Sequence, residues 1–285
     1  MLPISVIVPC YRCASTVQRA INSAIAQSRK PVEIILICDG VSDSSDTLAM
    51  LRQITSQPVS GDIHMRLIQF THNKGPSAAR NAGWEMATQP YIAFLDADDV
   101  WHPEKLEKQF EWMLQNPNVA MCGHGCRFIY DDDDATRFAL QHNGTQVASN
   151  IVTRNSILRS NPFVTSSIML QRALPLRFDE TLRYCEDYWL LMQLCFANYT
   201  IAYLSATWVN VAWDESRSTA GKKLWHMRMG EIGCYWRLHK QGHISHLRAS
   251  LLTTYSFGKF SIRLVIGHRG IWRLRNYSSA LFNKS

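Results

Sequence analysis

The 285-residue sequence predicts an α/β fold, a mixed sheet flanked by helices and followed by a basic helical extension. Three observations carry that expectation. Apolar strands and amphipathic helices alternate from the first residues onward, as they do in sheets built from crossover units. The apolar run Tyr91 to Leu95 ends in Asp96-Ala97-Asp98-Asp99, so three carboxylates emerge together at one strand end. The charge is also divided: from Arg217 onward there are 13 Lys and Arg against the single acid Glu231, a net +12. The whole chain is +7, which leaves the preceding residues at −5.

The first strand is Ile4 to Val8, ending at Pro9-Cys10-Tyr11. Val17, Ala20, Ile21, Ala24 and Ile25 then repeat at i, i+3, i+4, i+7 and i+8, the stripe of a helix lying on a sheet. A second strand, Val32 to Cys38, runs into Asp39-Gly40 and a Ser/Asp-rich loop, followed by a short helix over Thr47 to Gln53. Met65 to Phe70 reads as the third strand. Pro76 sits where a proline favours a helix start, and the small residues Ala78, Ala79 and Ala82 would let that helix approach the sheet closely.

Tyr91 to Leu95 is the fourth strand, and Pro103 opens a helix with Leu106, Phe110, Met113 and Leu114 on one face. Val119 to Tyr130 is expected as a core strand, Asp131 to Asp134 as a solvated turn, and Thr136 to Val147 as the returning arm. Val164 to Leu170 follows as a strand, then a helix over Tyr188 to Phe196. Leu190 to Trp213 carries no formal charge, but its polar residues argue for a helix end and two core strands over a membrane span.

With 46% apolar residues the chain can bury a full core, which excludes a disordered or fibrous protein. The opening Met1-Leu2-Pro3 has no charged region or cleavage site of a secretory signal, so a cytoplasmic location is expected. The eight cysteines are then expected as reduced, small core residues. Cys10-x-x-Cys13 has the form of a redox motif and Cys122-Gly-His124-Gly-Cys126 that of half a zinc site, but neither has a second matching pair at usable spacing.

Clustered carboxylates repel unless a cation joins them. Asp96, Asp98 and Asp99 therefore suggest Mn²⁺ or Mg²⁺, held by one or two side chains and completed by substrate phosphates. A solvated turn before a helix is the alternative for such a short pattern.

Five motifs, in order, resemble the inverting glycosyltransferases of family 2. They are Val6-Ile7-Val8-Pro9-Cys10-Tyr11, Asp39-Gly40, His72 to Gly83, Phe94 to Asp99, and Cys185-Glu186-Asp187-Tyr188-Trp189. The resemblance covers roughly residues 2 to 217 and implies the GT-A fold, with a nucleotide-binding half over 1–100 and an acceptor half over 101–217. It implies a hexose or N-acetylhexosamine moved with inversion from a nucleotide diphosphate, with UDP favoured. The acceptor would be lipid-linked or an oligosaccharide of a cell-surface polysaccharide such as O-antigen or capsule.

By the same resemblance, Asp96 of the DXD motif contacts the ribose and Asp98 is the main metal ligand, with Asp99 between metal and sugar. Pro9 and Tyr11 flank the base, Asp39 accepts from the uracil N3–H, and Arg80 lies near the base or phosphates. Asp187 is the expected general base, with Glu186 beside it. Asp39 and Asp187 as helix-capping residues are the structural alternatives.

A nucleotidyltransferase would want a glycine-rich loop after the first strand, where Cys10-Tyr11-Arg12-Cys13-Ala14 has none. A non-catalytic donor-binding scaffold is opposed by the intact acids. In the tail over 218–285, Trp225, Met229, Ile232 and Trp236 recur at helical spacing among many cations. A helix packed on the catalytic domain, a peripheral helix on an anionic membrane and a nucleic-acid surface all fit that pattern; attachment to the inner face of the cell membrane is the expectation, because a lipid-linked acceptor lies there, and nucleic acid is the weakest.

Overall fold

A computed structural model describes residues 1–43, 45–57, 62–129, 147–212 and 221–261. The chain divides into two compact units, Met1–Thr219 and Ala220–Ser285. The expected turn at Asp131 to Asp134 and most of its returning arm lie outside the described residues.

The first unit is a nine-stranded mixed sheet. Its first half alternates β1 (Leu2–Cys10), α1 (Val17–Ile25), β2 (Pro31–Asp39), α2 (Ser45–Ser56), β3 (His64–Phe70), α3 (Pro76–Met86) and β4 (Tyr91–Phe94). Strands β1 and β2 are nearly continuous apolar runs because a parallel sheet with helices on both faces leaves neither side of a strand to water. Helix α1 buries Val17, Ala20, Ile21 and Ala24. Each fully buried Ile or Val there contributes on the order of 1.5–3 kcal/mol.

Helix α3 comes closer to the sheet than a side chain would permit at one point. A Cβ on Gly83 would lie 2.5 Å from Cγ2 of Ile7 and 2.9 Å from Cδ1 of Ile37. The glycine thus sets how near α3, and Arg80 one turn earlier, stands to the strand ends.

The order of this half is β3-β2-β1-β4, all parallel. The chain winds outward from β1 through β2 to β3, then returns to the other side of β1 as β4. Strand order therefore reverses between β1 and β4, and a crevice opens at their carboxyl ends, where open α/β sheets bind ligands.

Beyond β4 the sheet becomes mixed. Its elements are β5 (Val100–Trp101), α4 (Lys105–Gln115), β6 (Val119–Ile129), β7 (Ser149–Ile151), α5 (Arg154–Arg159), β8 (Met169–Gln171), α6 (Glu186–Phe196) and β9 (Thr200–Ala212). Strand β8 runs antiparallel to β4 and β6, while β6 and β9 are parallel.

Several expectations need correction here. The expected strand from Val164 is a tight turn over Thr165–Ser167, and β8 begins only at Met169. The Ser167 hydroxyl donates to the Val164 carbonyl at 2.8 Å, a local bond that competes with a strand ladder. The two strands expected after α6 are one, β9. Its 13 residues pair with β6 along one edge and, along the other, with β7 through Ala202, Tyr203 and Leu204 and with β5 through Val209 and Asn210. Leu114, placed on the buried face of α4, is 56% exposed.

The second unit contains α7 (Gly221–Lys240) and a helix α8 over 246–261, joined through Gly242 at φ +76. Its buried face differs from the one expected. Ile232, Cys234, Tyr235 and Leu238 are buried, whereas Trp225 and Met229 are exposed. Glu231 explains the rotation: it accepts from the Tyr235 hydroxyl and from Nζ of Lys259, both at 2.7 Å, and pairs with Arg228. Arg228 donates in turn to Oγ of Ser256 at 2.9 Å, so a polar knot ties the two helices and decides which faces meet. Among the described residues no helix is long and apolar enough to cross a membrane.

Candidate active site

Strand β4 ends in a turn that carries the acids. The Leu95 N–H donates to the Ile7 carbonyl at 3.0 Å and the Asp99 N–H to the Asp96 carbonyl at 3.1 Å. Ser166, from the turn before β8, fixes this segment. Its hydroxyl oxygen accepts from the Asp96 N–H at 3.0 Å and its hydroxyl donates to Oδ2 of Asp99 at 2.5 Å, while its carbonyl accepts from the Trp101 indole at 2.8 Å.

Asp99 is consequently held inside, only 4% exposed. Burial pushes its carboxyl well above the usual range, and the neighbouring charges of Asp96 and Asp98 add to that. Buried and bonded to Ser166, Asp99 is turned inward at the base of the turn and does not share the solvent-facing rim with Asp96 and Asp98. Asp96 and Asp98 are the two half-exposed acids of the turn.

Asp39, at the end of β2, is also engaged. Oδ1 accepts from the Lys74 N–H at 2.7 Å, and Oδ2 accepts from the Gly75 N–H at 2.9 Å and from Nδ2 of Asn73 at 3.1 Å. Burial raises this carboxyl, and the two backbone bonds partly offset it. The loop that enters α3 can reach Asp39 because two glycines adopt left-handed backbone, Gly40 at φ +93 and Gly75 at φ +92. Three of roughly four acceptor positions on Asp39 are thus used to shape the loop, leaving about one for a base. Pro9 is half-buried at the end of β1, and Tyr11 beyond it is 39% exposed with the Arg12 guanidinium 5.2 Å from its ring.

Arg80 links the turn after β4 to the start of α6. From α3 its Nη2 donates to Oδ1 of Asp96 at 2.8 Å and its Nη1 to Oε1 of Glu186 at 3.0 Å. Burial would push the guanidinium down, but Asp96 and Glu186 outweigh it and hold it charged. Both its terminal nitrogens face protein carboxylates, so its role in this geometry is to tie the strand-end turn to α6. Removing it would leave the largely buried Glu186 and the half-exposed Asp96 without their cation, a cost that falls mainly on Glu186.

Glu186 and Asp187 open α6 after Cys185, which takes the left-handed conformation at φ +61 and turns the chain into the helix. Asp187 therefore lies in the first turn and is not the N-cap. Its Oδ1 accepts from the Tyr188 N–H at 2.7 Å and its Oδ2 from Nδ2 of Asn161 at 2.9 Å. Burial and then the Glu186 charge raise its carboxyl to about 6. The two adjacent acids are thus unlike: Glu186 bonds a cation, and Asp187 bonds neutral donors.

Among the described residues no three His, Cys, Asp or Glu side chains converge on a possible metal position. The donor set still suits a hard divalent cation, because Asp96 and Asp98 offer half-exposed carboxylate oxygens at the rim. Mg²⁺ or Mn²⁺ commonly takes one or two carboxylates and completes its shell with substrate phosphates and water. The segment from Trp213 to Ser218 lies outside the described residues.

Two residues of this site have no signature in the motifs. Ser166 sits within an apolar run read as strand, where the pair Ser166-Ser167 was the available signal. Asn161 precedes Pro162, and Asn-Pro marks a turn without saying what the amide will touch.

The fold of the first unit is that of the GT-A glycosyltransferases. A Staphylococcus aureus TarS structure (residues 1–349) in complex with UDP-GlcNAc superposes with a TM-score of 0.62 at 18% identity, over 88% of this chain and 70% of that one. A mannosyltransferase from Pyrobaculum calidifontis, solved with GDP-Man and Mn²⁺, superposes with a TM-score of 0.59 at 15% identity, over 98% and 80%. At such identities the likeness shows the fold. Residues 5–177 match the profile of glycosyl transferase family 2, and the chain belongs to that family. The match stops short of Glu186 and Asp187.

Among relatives, an uncharacterized glycosyltransferase of Haemophilus influenzae is 32% identical over 169 residues, 59% of this chain and 62% of that protein. The Escherichia coli protein WfgD, a UDP-Glc:alpha-D-GlcNAc-diphosphoundecaprenol beta-1,3-glucosyltransferase, is 28% identical over 191 residues, 67% of this chain and 69% of its own length.

Proposed function

We propose that this protein transfers a hexose or N-acetylhexosamine, with inversion, from a nucleotide diphosphate sugar to a lipid-linked or oligosaccharide acceptor in the synthesis of a cell-surface polysaccharide. The observation that carries the reading is the contrast between Glu186 and Asp187. Glu186 is paired with the buried Arg80, whereas Asp187 meets only neutral donors and has its carboxyl raised to about 6. A base poised near neutral pH suits removal of a proton from a sugar hydroxyl.

In this reading Asp187 accepts the proton of the acceptor hydroxyl as its oxygen attacks the anomeric carbon from the face opposite the diphosphate. The carbon–oxygen bond to the leaving phosphate breaks, and the configuration inverts. Asp98, with Asp96, would hold Mn²⁺ or Mg²⁺, which supplies charge stabilisation for the leaving diphosphate. Pro9 and Tyr11 would border the base, and the remaining acceptor position of Asp39 suits a uracil N3–H. UDP is favoured on that ground and by the names of WfgD and of the TarS complex; the bound GDP-Man of the archaeal neighbour is the competing donor class.

The basic tail would rest on an anionic membrane, where a lipid-linked acceptor lies. Each Lys or Arg near such a surface contributes on the order of 1 kcal/mol, screened by salt. The purified chain, given a panel of UDP-, GDP- and dTDP-sugars with Mn²⁺, should hydrolyse or transfer from a UDP-sugar, and excess EDTA should abolish this. Full turnover in EDTA, or no turnover with any donor and a lipid-linked acceptor, would refute the assignment. Binding to phosphatidylglycerol vesicles should fall as salt rises, and equal binding to neutral phosphatidylcholine would refute the electrostatic attachment.

A further inference from the structure

The loop between α5 and β8 contributes one side chain to Asp187, and nothing in the family motifs points to it. Nδ2 of Asn161 donates to Oδ2 of Asp187 at 2.9 Å. The direction of that amide is not arbitrary, since an acid acceptor and a backbone donor hold its two ends. Its Oδ1 accepts from the Phe163 N–H at 3.0 Å, the bond of an Asx turn, so its NH₂ group must face the carboxylate. Pro162 between them has no N–H to offer and fixes the turn's φ.

We infer that Asn161 is a positioning residue for the general base, holding the Asp187 carboxylate in one rotamer and favouring its ionised form. The inference rests on the proposed role of Asp187. With Oδ1 held by the Tyr188 N–H and Oδ2 by Asn161, the side chain is gripped at both oxygens, and the lone pairs that remain are those available to an acceptor hydroxyl. The charged groups acting on Asp187 are Glu186 beside it on α6 and Arg80 from α3, one opposing ionisation and one supporting it. Asn161 adds a neutral donor on the supporting side. A base that must stay ionised near pH 7 while half-buried next to another carboxylate needs such a donor.

Asn161→Asp separates this role from a merely architectural one. It keeps an oxygen for the Phe163 N–H, and with it the turn, but replaces the donor to Asp187 by an acceptor. The expected result is a fall in kcat of about 10-fold or more, an unchanged KM for the donor sugar, and an acid limb of the kcat–pH profile moved up by roughly one unit. Asn161→Ala removes both bonds and should move the limb the same way, by less. Melting curves of both variants establish that the measured protein is folded. A wild-type kcat and acid limb in folded Asn161→Asp overturns the inference, and so does a loss confined to donor KM. Asp187→Asn, run alongside, tests the base itself: if it transfers sugar at the wild-type rate, the base assignment fails on its own account.

Discussion

Two carboxylates at opposite ends of the same sheet are treated in opposite ways. Near the amino end of β2, the buried Glu33 accepts from Oγ of Ser5 at 2.5 Å, from the Thr88 N–H at 3.0 Å and from Oγ1 of Thr88 at 3.4 Å, with Nε of Arg66 at 3.4 Å. At the carboxyl end, Asp187 has two neutral hydrogen-bond donors and an adjacent like charge. Glu33 joins β1, β2 and the segment entering β4, and its lone pairs are consumed in doing so. Asp187 retains acceptor capacity and a raised carboxyl. A saturated acid holds the fold together, while an unsaturated one is poised for a proton.

The largest expected effect comes from breaking the unsaturated end. Asp187→Asn should lose transfer by about 10² or more while keeping affinity for the donor, measured by calorimetry, because a general base contributes on that scale. Asp98→Asn should lose transfer and also weaken UDP binding in Mn²⁺. Equal donor affinity in Asp98→Asn and wild type would remove the distinction between a metal-holding acid and a base.

Breaking the saturated end should damage stability instead. Glu33→Ala would leave the Ser5 and Thr88 donors and Arg66 without their acceptor, a cost of about 2–4 kcal/mol. Its Tm should fall by roughly 5–10 °C, with near wild-type kcat in the protein that remains folded. An unchanged Tm would mean that water replaces the carboxylate at no cost.

The smallest test sharpens the contrast without mutation. The Asp187 carboxyl is raised to about 6, and only its ionised form accepts a proton, so kcat should be level above pH 7 and fall as pH drops through about 6. The same shift runs against stability. An acid whose folded value lies above its unfolded one favours the native state at low pH, and that contribution is lost as pH rises through the interval from 3.8 to about 6. An acid limb near 4 would show that Asp187 is not raised in the working enzyme.

Much of this was legible in order of sequence. The alternation of strands and helices up to β4, Pro76 at the start of α3, and the acids at the end of β4 follow from periodicity, proline geometry and strand termination, all of which are local. What lay between Val164 and Leu170 was not, because Ser166 and Ser167 respond to partners far away in sequence. Ser166 turns the chain to meet Asp96 and Asp99 across about 70 residues, and no local pattern encodes such a pairing.

The sequence by itself determined the fold class and the strand end on which the acids stand, since each depends on residue spacing over one or two turns of chain, while Glu186 and Asp187 stood out only through the family resemblance. Only the tertiary structure decided how those acids differ. Arg80 is drawn to Asp96 and Glu186, Asp99 is buried on Ser166, Asp39 is spent on the loop before α3, and Asn161 faces Asp187. The physical reason is that a carboxylate's chemistry is set by which donors, charges and solvent reach it, and those arrive from elements 16 to 106 residues distant.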